Sequence, residues 1–265
     1  MTELNAETAR RAIVEHTRHL AESAAAAGPD AAVPTAPKWT ITDLVAHVGQ
    51  TQNWVAEIIE RRITDPTRLP TEMAALPADP REWQVWLSES AQRVASACSD
   101  EALEAPVFNA AGDERFGTRF WMAGMLNEAV LHGFDAANAA DRPADIDAGI
   151  AAALISNHLA MLTSPTWGMQ RPESAHAIRG TGQTLQWGAT DTAAGAWFVE
   201  RRPDGATWQP GTRHADVTVT GPARSLLLVL TRRLPLSDRE TTDINVDGDI
   251  DLAQQWLDNT AHVSG

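Results

Sequence analysis

Three side chains in this sequence combine types and spacing that could hold a metal ion: His47 in DLVAHVG, and Glu128 with His132 in NEAVLHGFD. On a helix, positions four apart share a face, so Glu128 and His132 can close on one ion while His47 arrives from a second helix. Three protein ligands leave one coordination position open, the arrangement of catalytic zinc. Structural zinc is closed by four ligands and favours cysteine, of which the chain has one. E-x-x-x-H by itself is a frequent accident on helices. The surroundings of His47 add weight. Ile41, Leu44, Val45 and Val48 make an apolar stripe in ITDLVAHVGQTQNW, and His47 sits beside it, facing inward with the core. An imidazole there needs a polar partner, and a metal ion is one of few candidates.

Helices have to position these residues, and the first half of the chain reads as four of them. The first runs from about Asn5 to Ala26 with Thr2 or Asn5 as cap, carrying Ala12, Ile13, His16, His19 and Leu20 along one stripe. The second opens at Thr40 or Thr42 and continues to about Arg62. The third is capped by Asp79, with Pro80 in its first turn, and runs through REWQVWLSESAQRVASAC. The fourth, Thr118 to Ala140, carries Glu128 and His132. GPDAAVPTAPKW reads as a linker and ITDPTRLPTEMAALPADP as a proline-rich crossover, long enough to suggest a functional role. Four helices with one long crossover make a four-helix bundle, whose interior readily houses metal sites.

A fifth helix, Asp145 to about Leu162, reads as a connector, after which the pattern changes. ESAHAIRGTG, TLQWGATD, GAWFVER and HADVTVTG group β-formers between turn signals such as RPDG and TDTAAG. PARSLLLVLTRR reads as a buried helix, DINVDG as a short strand and DIDLAQQWLDNTAH as a closing helix. The expected fold class is α+β in two domains: a bundle over residues 1–145, and a connector helix with a small α+β domain over residues 146–265.

Composition excludes several functions. At 265 residues, with 43% apolar and 21% charged content, the chain has material for a real core and is neither disordered nor fibrous. A net charge of −14, with 21 basic against 35 acidic residues, argues against nucleic acid as a partner. No apolar run approaches the ~18 residues of a membrane span and the charged N-terminus does not read as a signal peptide, so the expected location is the cytoplasm, away from membranes. Cys98 is the single cysteine. It can form no internal disulfide, has no basic neighbour in VASACSDE to activate it, and reads as structural, so thiol chemistry would need an external thiol. No glycine-rich phosphate loop and no GxSxG elbow occurs.

DLVAHVG followed far downstream by NEAVLHGFDAANA resembles the mycothiol-dependent maleylpyruvate isomerase family, whose N-terminal domain is a DinB-like metal-binding four-helix bundle. DVTVTGPARSLLLVLTRRLPL followed by INVDGDIDLAQQWL is similar to that family's sterol-carrier-protein-like (SCP2-like) C-terminal domain. The resemblance covers nearly the whole chain. It implies that His47, Glu128 and His132 bind a divalent metal, zinc in most members, with water or a thiol in the remaining position. It implies mycothiol as that thiol, and a small electrophile as acceptor for cis–trans isomerisation or S-transfer. Such a dication stabilises a thiolate at neutral pH. The chain departs from the family pattern at Leu230-Thr231-Arg232 and at Gly133-Phe134, where members often carry Trp-Gly-Arg and an Arg or Trp.

Other residues are candidates by position. Arg115 and Arg119 before the fourth helix, and Arg61 and Arg62 at the end of the second, could assist where negative charge accumulates, although each reads first as a solvated surface group. Asp135, three residues after His132, reads as a surface charge, with support of the ligand as the alternative. Trp39, Trp54, Trp83, Trp86 and Trp121 could line a pocket or simply pack the core. His16 and His19 read as structural. A monomer is expected. The competing readings are a non-catalytic metal- or small-ligand-binding protein on the same fold, and a metal-activated water used for hydrolysis.

Overall fold

The computed structural model of the chain describes residues 4–113, 115–238 and 242–260. Thr2, the alternative helix cap, and Ala261 and His262, the expected end of the last helix, lie outside the described residues. Two compact units divide at Asp145 and Ile146.

The first unit is built on four long helices: α1 (Ala6–Ala27), α2 (Ile41–Glu60), α3 (Trp83–Ala97) and, after the one-turn helix α4 (Asp100–Leu103), α5 (Gly117–Ala139). Local chemistry sets their starts. Asn5 accepts the amide of Glu7 at α1. Thr40 and Asp43 form a reciprocal capping box at α2, which satisfies two otherwise unpaired donors. Asp79 caps a single 3-10 turn, Pro80–Glu82, that leads into α3. α1 packs on α3 and α5, and α2 packs on the same two helices. Leu20, Ile41, Leu44, Val45, Val48 and Leu87 meet in a core cluster with no exposure.

Contacts across the bundle give the helix directions. Gly49 lies against Trp86, Ser90 donates to Gln52 and Arg93 reaches Glu60, so α2 and α3 run parallel. His47 meets Glu128 and Trp54 meets Trp121, so α2 and α5 run antiparallel. Parallel α2 and α3 require the chain to return along the whole bundle between them. At 1.5 Å per residue the 20-residue α2 is about 30 Å long. The proline-rich crossover therefore has a topological task. It runs back along α2, with Trp54 Nε1 donating to Pro70 O at 2.9 Å, Gln50 Nε2 to Ala74 O at 3.2 Å and Trp83 Nε1 to Pro77 O at 3.0 Å.

The stretch expected to be a linker is instead a hairpin, β1 (Ala32–Val33) with β2 (Ala36–Thr40), paired antiparallel. Val33, without exposure, sinks into the bundle core and anchors it.

The second unit is α+β, as its strand and helix patterns predict. α6 (Ala148–Leu162) packs on α9 (Ala223–Leu230) and is thus part of the unit's core, with Leu154 and Ile155 buried. A five-stranded sheet follows, in the order β5-β4-β3-β6-β7: β3 (Thr184–Ala189), β4 (Ala196–Arg202), β5 (Gly205–Pro210), β6 (Val217–Gly221) and β7 (Asn245–Gly248). β3 and β6 are parallel and the other neighbours antiparallel. Trp187 and Trp197, paired across β3 and β4, are almost fully buried, and Trp197 Nε1 donates to Ser156 Oγ at 2.8 Å. α10 (Ile250–Asn259) closes the unit through Trp256 and Leu257.

The strand expected over ESAHAIRGTG is not formed. The short helix α8 (Pro172–Ala177), with proline at its first turn, occupies the first half of that stretch, after the similar short helix α7 (Pro165–Gln170). Arg201, almost fully buried on β4, donates to the carbonyls of Ala177, Ile178 and Arg179 and so satisfies the C-terminal end of α8. Among the described helices, none is long and apolar enough to cross a membrane.

Candidate metal centre

α2 and α5 bring His47, Glu128 and His132 to one place, with one ligand atom of each within 4.8 Å of the others. Both histidines use Nε2. His47 Nε2–H donates to Glu128 Oε2 at 2.8 Å, and His132 Nε2 lies 3.0 Å from the same oxygen. The capping box fixes where α2 begins and hence the turn that carries His47. The i, i+4 relation of Glu128 and His132 places their side chains one above the other.

His132 is held from behind. Its Nδ1–H donates to Asp135 Oδ2 at 2.9 Å, and Asp135 Oδ1 accepts the Thr35 hydroxyl at 2.7 Å. Asp135 is 1% exposed. The expectation of a surface charge is thus corrected: the β1–β2 hairpin covers the carboxylate and supplies its second hydrogen bond. The same hairpin brings Trp39 over the histidines, its ring centroid 5.0 Å from His47 and 5.8 Å from His132, near-parallel to the latter. The two imidazoles meet edge to face at 5.0 Å.

These contacts set the charge states. Burial opposes ionisation of Glu128, but the hydrogen bonds and charges of His132 and His47 outweigh it and hold the carboxyl well below the usual range. Burial likewise opposes the charged form of His132, yet Asp135 and Glu128 together push its pKa up to about 9. Four polar groups in contact therefore form a neutralising chain, Asp135–His132–Glu128–His47, half-screened from solvent.

The donor set fits a divalent cation. Asp135 holds the Nδ1 proton of His132, so loss of the other proton leaves the Nε2 lone pair aimed at the space shared with Glu128 and His47. Two imidazoles and one carboxylate suit zinc better than magnesium or calcium, which prefer all-oxygen shells.

The remaining sequence candidates separate clearly. Arg61 pairs with Glu57 at 2.5 Å, Arg62 with Glu101 at 3.6 Å, Arg115 with Asp113 at 2.6 Å, and Arg119 with Glu104. Arg61, Arg115 and Arg119 are thus engaged by carboxylates, whereas Arg62 only approaches the exposed Glu101 and keeps a buried Nη1 without a hydrogen-bond partner. Cys98 is buried, and burial pushes its thiol up to about 12. His16 is buried, with burial lowering its pKa, and His19 accepts from Arg18. Trp83 and Trp86 serve packing against α1 and α2. Thr35 escaped the sequence reading. Its one signal is a hydroxyl residue between two prolines, which reads as loop.

Two family descriptions match the chain in order. The mycothiol maleylpyruvate isomerase N-terminal domain matches residues 10–137, and the MDMPI C-terminal domain matches residues 149–255. Among solved structures, a crystal structure of the mycothiol-dependent maleylpyruvate isomerase is similar with a TM-score of 0.53 at 16% identity, over 88% of this chain and 93% of that one. A histidine-to-alanine mutant of the same enzyme gives 0.52 at 15%, with the same coverage. At such identities the likeness concerns the fold. A structure titled UbiJ-SCP2 ubiquinone synthesis protein, 19% identical over 43% of this chain and 86% of that one, has a TM-score of 0.29 and carries no argument. No curated protein matches the sequence. With both domain matches present, in order and spanning nearly its whole length, the chain belongs to the mycothiol maleylpyruvate isomerase family.

Proposed function

We propose that this protein is a metal-dependent thiol enzyme of the maleylpyruvate isomerase type, with His47, Glu128 and His132 holding a divalent cation, zinc by preference. The observation that carries the reading is the convergence of two histidine Nε2 atoms on one carboxylate oxygen, with the far nitrogen of His132 tied to a buried aspartate. When bound, the cation supplies Lewis acidity that favours a thiolate over a thiol at neutral pH. Glu128 and the neutral forms of both imidazoles provide the ligand atoms, and Asp135 keeps the His132 proton on Nδ1. Trp39 stacks on His132 and lies beside His47, and so excludes part of the surrounding water, which strengthens the charge interactions beneath it.

The thiol is an external one, mycothiol on the family's precedent, since Cys98 is buried and protonated. Its sulfur would form a bond to one carbon of an activated double bond while the π electrons move onto the conjugated carbonyl. Rotation about the resulting single bond and departure of the same thiolate complete an isomerisation. Protonation of the adduct instead completes S-transfer.

Metal content and thiol dependence test this reading. Wild-type protein loaded with zinc and dialysed should retain about one ion per chain, and His47→Ala, Glu128→Gln and His132→Ala should each lose it. Full metal loading in His47→Ala would refute the assignment, and turnover of an electrophile without any added thiol would redirect it to hydrolysis.

A further inference from the structure

The seam between α2 and α5 that holds the polar cluster continues for two further helical turns and ends on a second, aromatic contact. Seven residues after His47 on α2 stands Trp54, and seven before Glu128 on α5 stands Trp121; their rings meet edge to face at 5.5 Å. Seven residues is about 10 Å along a helix. The register that sets His47 against Glu128 and Trp54 against Trp121 places Thr51 opposite Gly124, midway between the two contacts. A Cβ built at Gly124 would meet no heavy atom within 4 Å. The seam therefore has a notch, bounded at one end by His47, Glu128 and His132 and at the other by the two indoles, with small residues between.

Its aromatic end is fixed by loops. Trp54 Nε1 donates to Pro70 O at 2.9 Å and Trp121 Nε1 to Phe108 O at 2.8 Å, and Phe108 N donates to Ile63 O at 2.7 Å, which ties the two loops together. Both indole donors are thus spent on backbone, which leaves the two rings at this end of the seam without a free hydrogen-bond donor. Along its side the crossover is pinned by Gln50 to Ala74 O. Of the nearby arginines, Arg61, Arg115 and Arg119 are paired with carboxylates, while Arg62 stands at the end of α2 and the exposed Arg68 in the crossover.

We infer that this notch is the acceptor subsite and that it selects a planar, uncharged conjugated electrophile, such as an enone or a quinone, over a dicarboxylate. The inference rests on the thiol-enzyme reading for the adjacent cluster. The length matches one ring with a conjugated substituent, laid with its reactive carbon toward the cluster and its π face against the Trp54 and Trp121 pair. Aromatic walls stabilise such a π system, whereas a carboxylate laid against them would lose hydration and find neither indole N–H free to donate to it.

Calorimetric titration of the full chain, zinc-loaded and metal-free, with 2-naphthol as the neutral planar probe and naphthalene-2,6-dicarboxylate as its dianionic counterpart, tests this. The neutral probe should bind about tenfold or more tightly than the dianion. Gly124→Leu and Thr51→Leu fill the notch from opposite helices, so a folding failure in one leaves the other. Each should weaken 2-naphthol binding by about tenfold or more while circular dichroism and zinc content stay as in the wild type. Wild-type affinity for 2-naphthol in both variants, or equal or tighter binding of the dianion, would overturn the inference. Zinc content of His47→Ala reads the metal assignment separately. A protein that binds 2-naphthol in the notch but no zinc would sink the thiol-enzyme reading and leave the notch in place.

Discussion

Asp135→Asn isolates the role of a single buried charge. The carboxylate accepts the Nδ1–H of His132 at 2.9 Å and the Thr35 hydroxyl at 2.7 Å, with 1% exposure. Asparagine has the same shape. Its carbonyl can keep the His132 hydrogen bond while its amide faces Thr35, whose hydroxyl rotates to accept. Only the charge is lost. A hydrogen bond to a charged group contributes about 1.5–3 kcal/mol against about 1 for a neutral one, so His132 loses ~1–2 kcal/mol of support as a ligand. That corresponds to roughly 5- to 30-fold in metal affinity.

The proton works in the opposite direction. With its pKa pushed up to about 9, His132 of the metal-free protein carries a proton at pH 7 that the metal must displace. Two pH units of displacement lower the wild-type affinity about 100-fold relative to alkaline solution. Asparagine weakens proton and metal binding together, so its effect on zinc affinity is small at pH 7 and fully expressed above about pH 9. Competition against a chromophoric chelator at pH 7 and pH 9.5 measures both. Wild-type affinity for zinc should rise with pH across this window, and the ratio of wild type to variant should widen. A variant within twofold of wild type at pH 9.5, with unchanged circular dichroism, would refute the claim that Asp135 supports the ligand.

Two further outcomes follow from packing and burial. In Gly117→Ala the new methyl would lie 2.0 Å from the backbone oxygen of Val107 and 2.7 Å from that of Phe108, at the first turn of the helix that carries Glu128 and His132. Backbone cannot swing aside, so urea denaturation should show a loss of about 1–3 kcal/mol, and an unchanged midpoint would show that this loop is not tightly packed. Cys98 has no exposure and a thiol pushed up to about 12, so a chromogenic disulfide reagent should fail to label native protein at pH 8 and should label one thiol per chain in denaturant. Stoichiometric labelling of native protein within minutes would place Cys98 among accessible thiols.

The long helices were legible because their evidence is local. Apolar residues at 3.6-residue spacing, Asn5, the Thr40 and Asp43 pair, and Asp79 before Pro80 all act within one or two turns of chain. The β1–β2 hairpin was not. Its strands are two and five residues long, interrupted by Pro34 and Pro37, and alone they read as linker. They hold their shape because Val33 is buried in the bundle core and Thr35 and Trp39 settle on groups of α5 and α2. The alternation in ESAHAIRG suggested a strand, but Pro172 at the start of α8, and an arginine more than twenty residues away on β4 that caps the carbonyls, favour helix.

By itself the sequence determined the α+β class, the bundle and the family, and it singled out His47, Glu128 and His132, because residue type and helical spacing carry that information. Only the tertiary structure decided that Asp135 is buried support and not a surface charge, since its surroundings come from a hairpin one hundred residues earlier. It also decided that Arg61, Arg115 and Arg119 are paired with carboxylates, and that Thr51 and Gly124 open a gap between the polar cluster and two tryptophans. Such facts depend on the register between α2 and α5, a relation between distant segments that local periodicity does not encode.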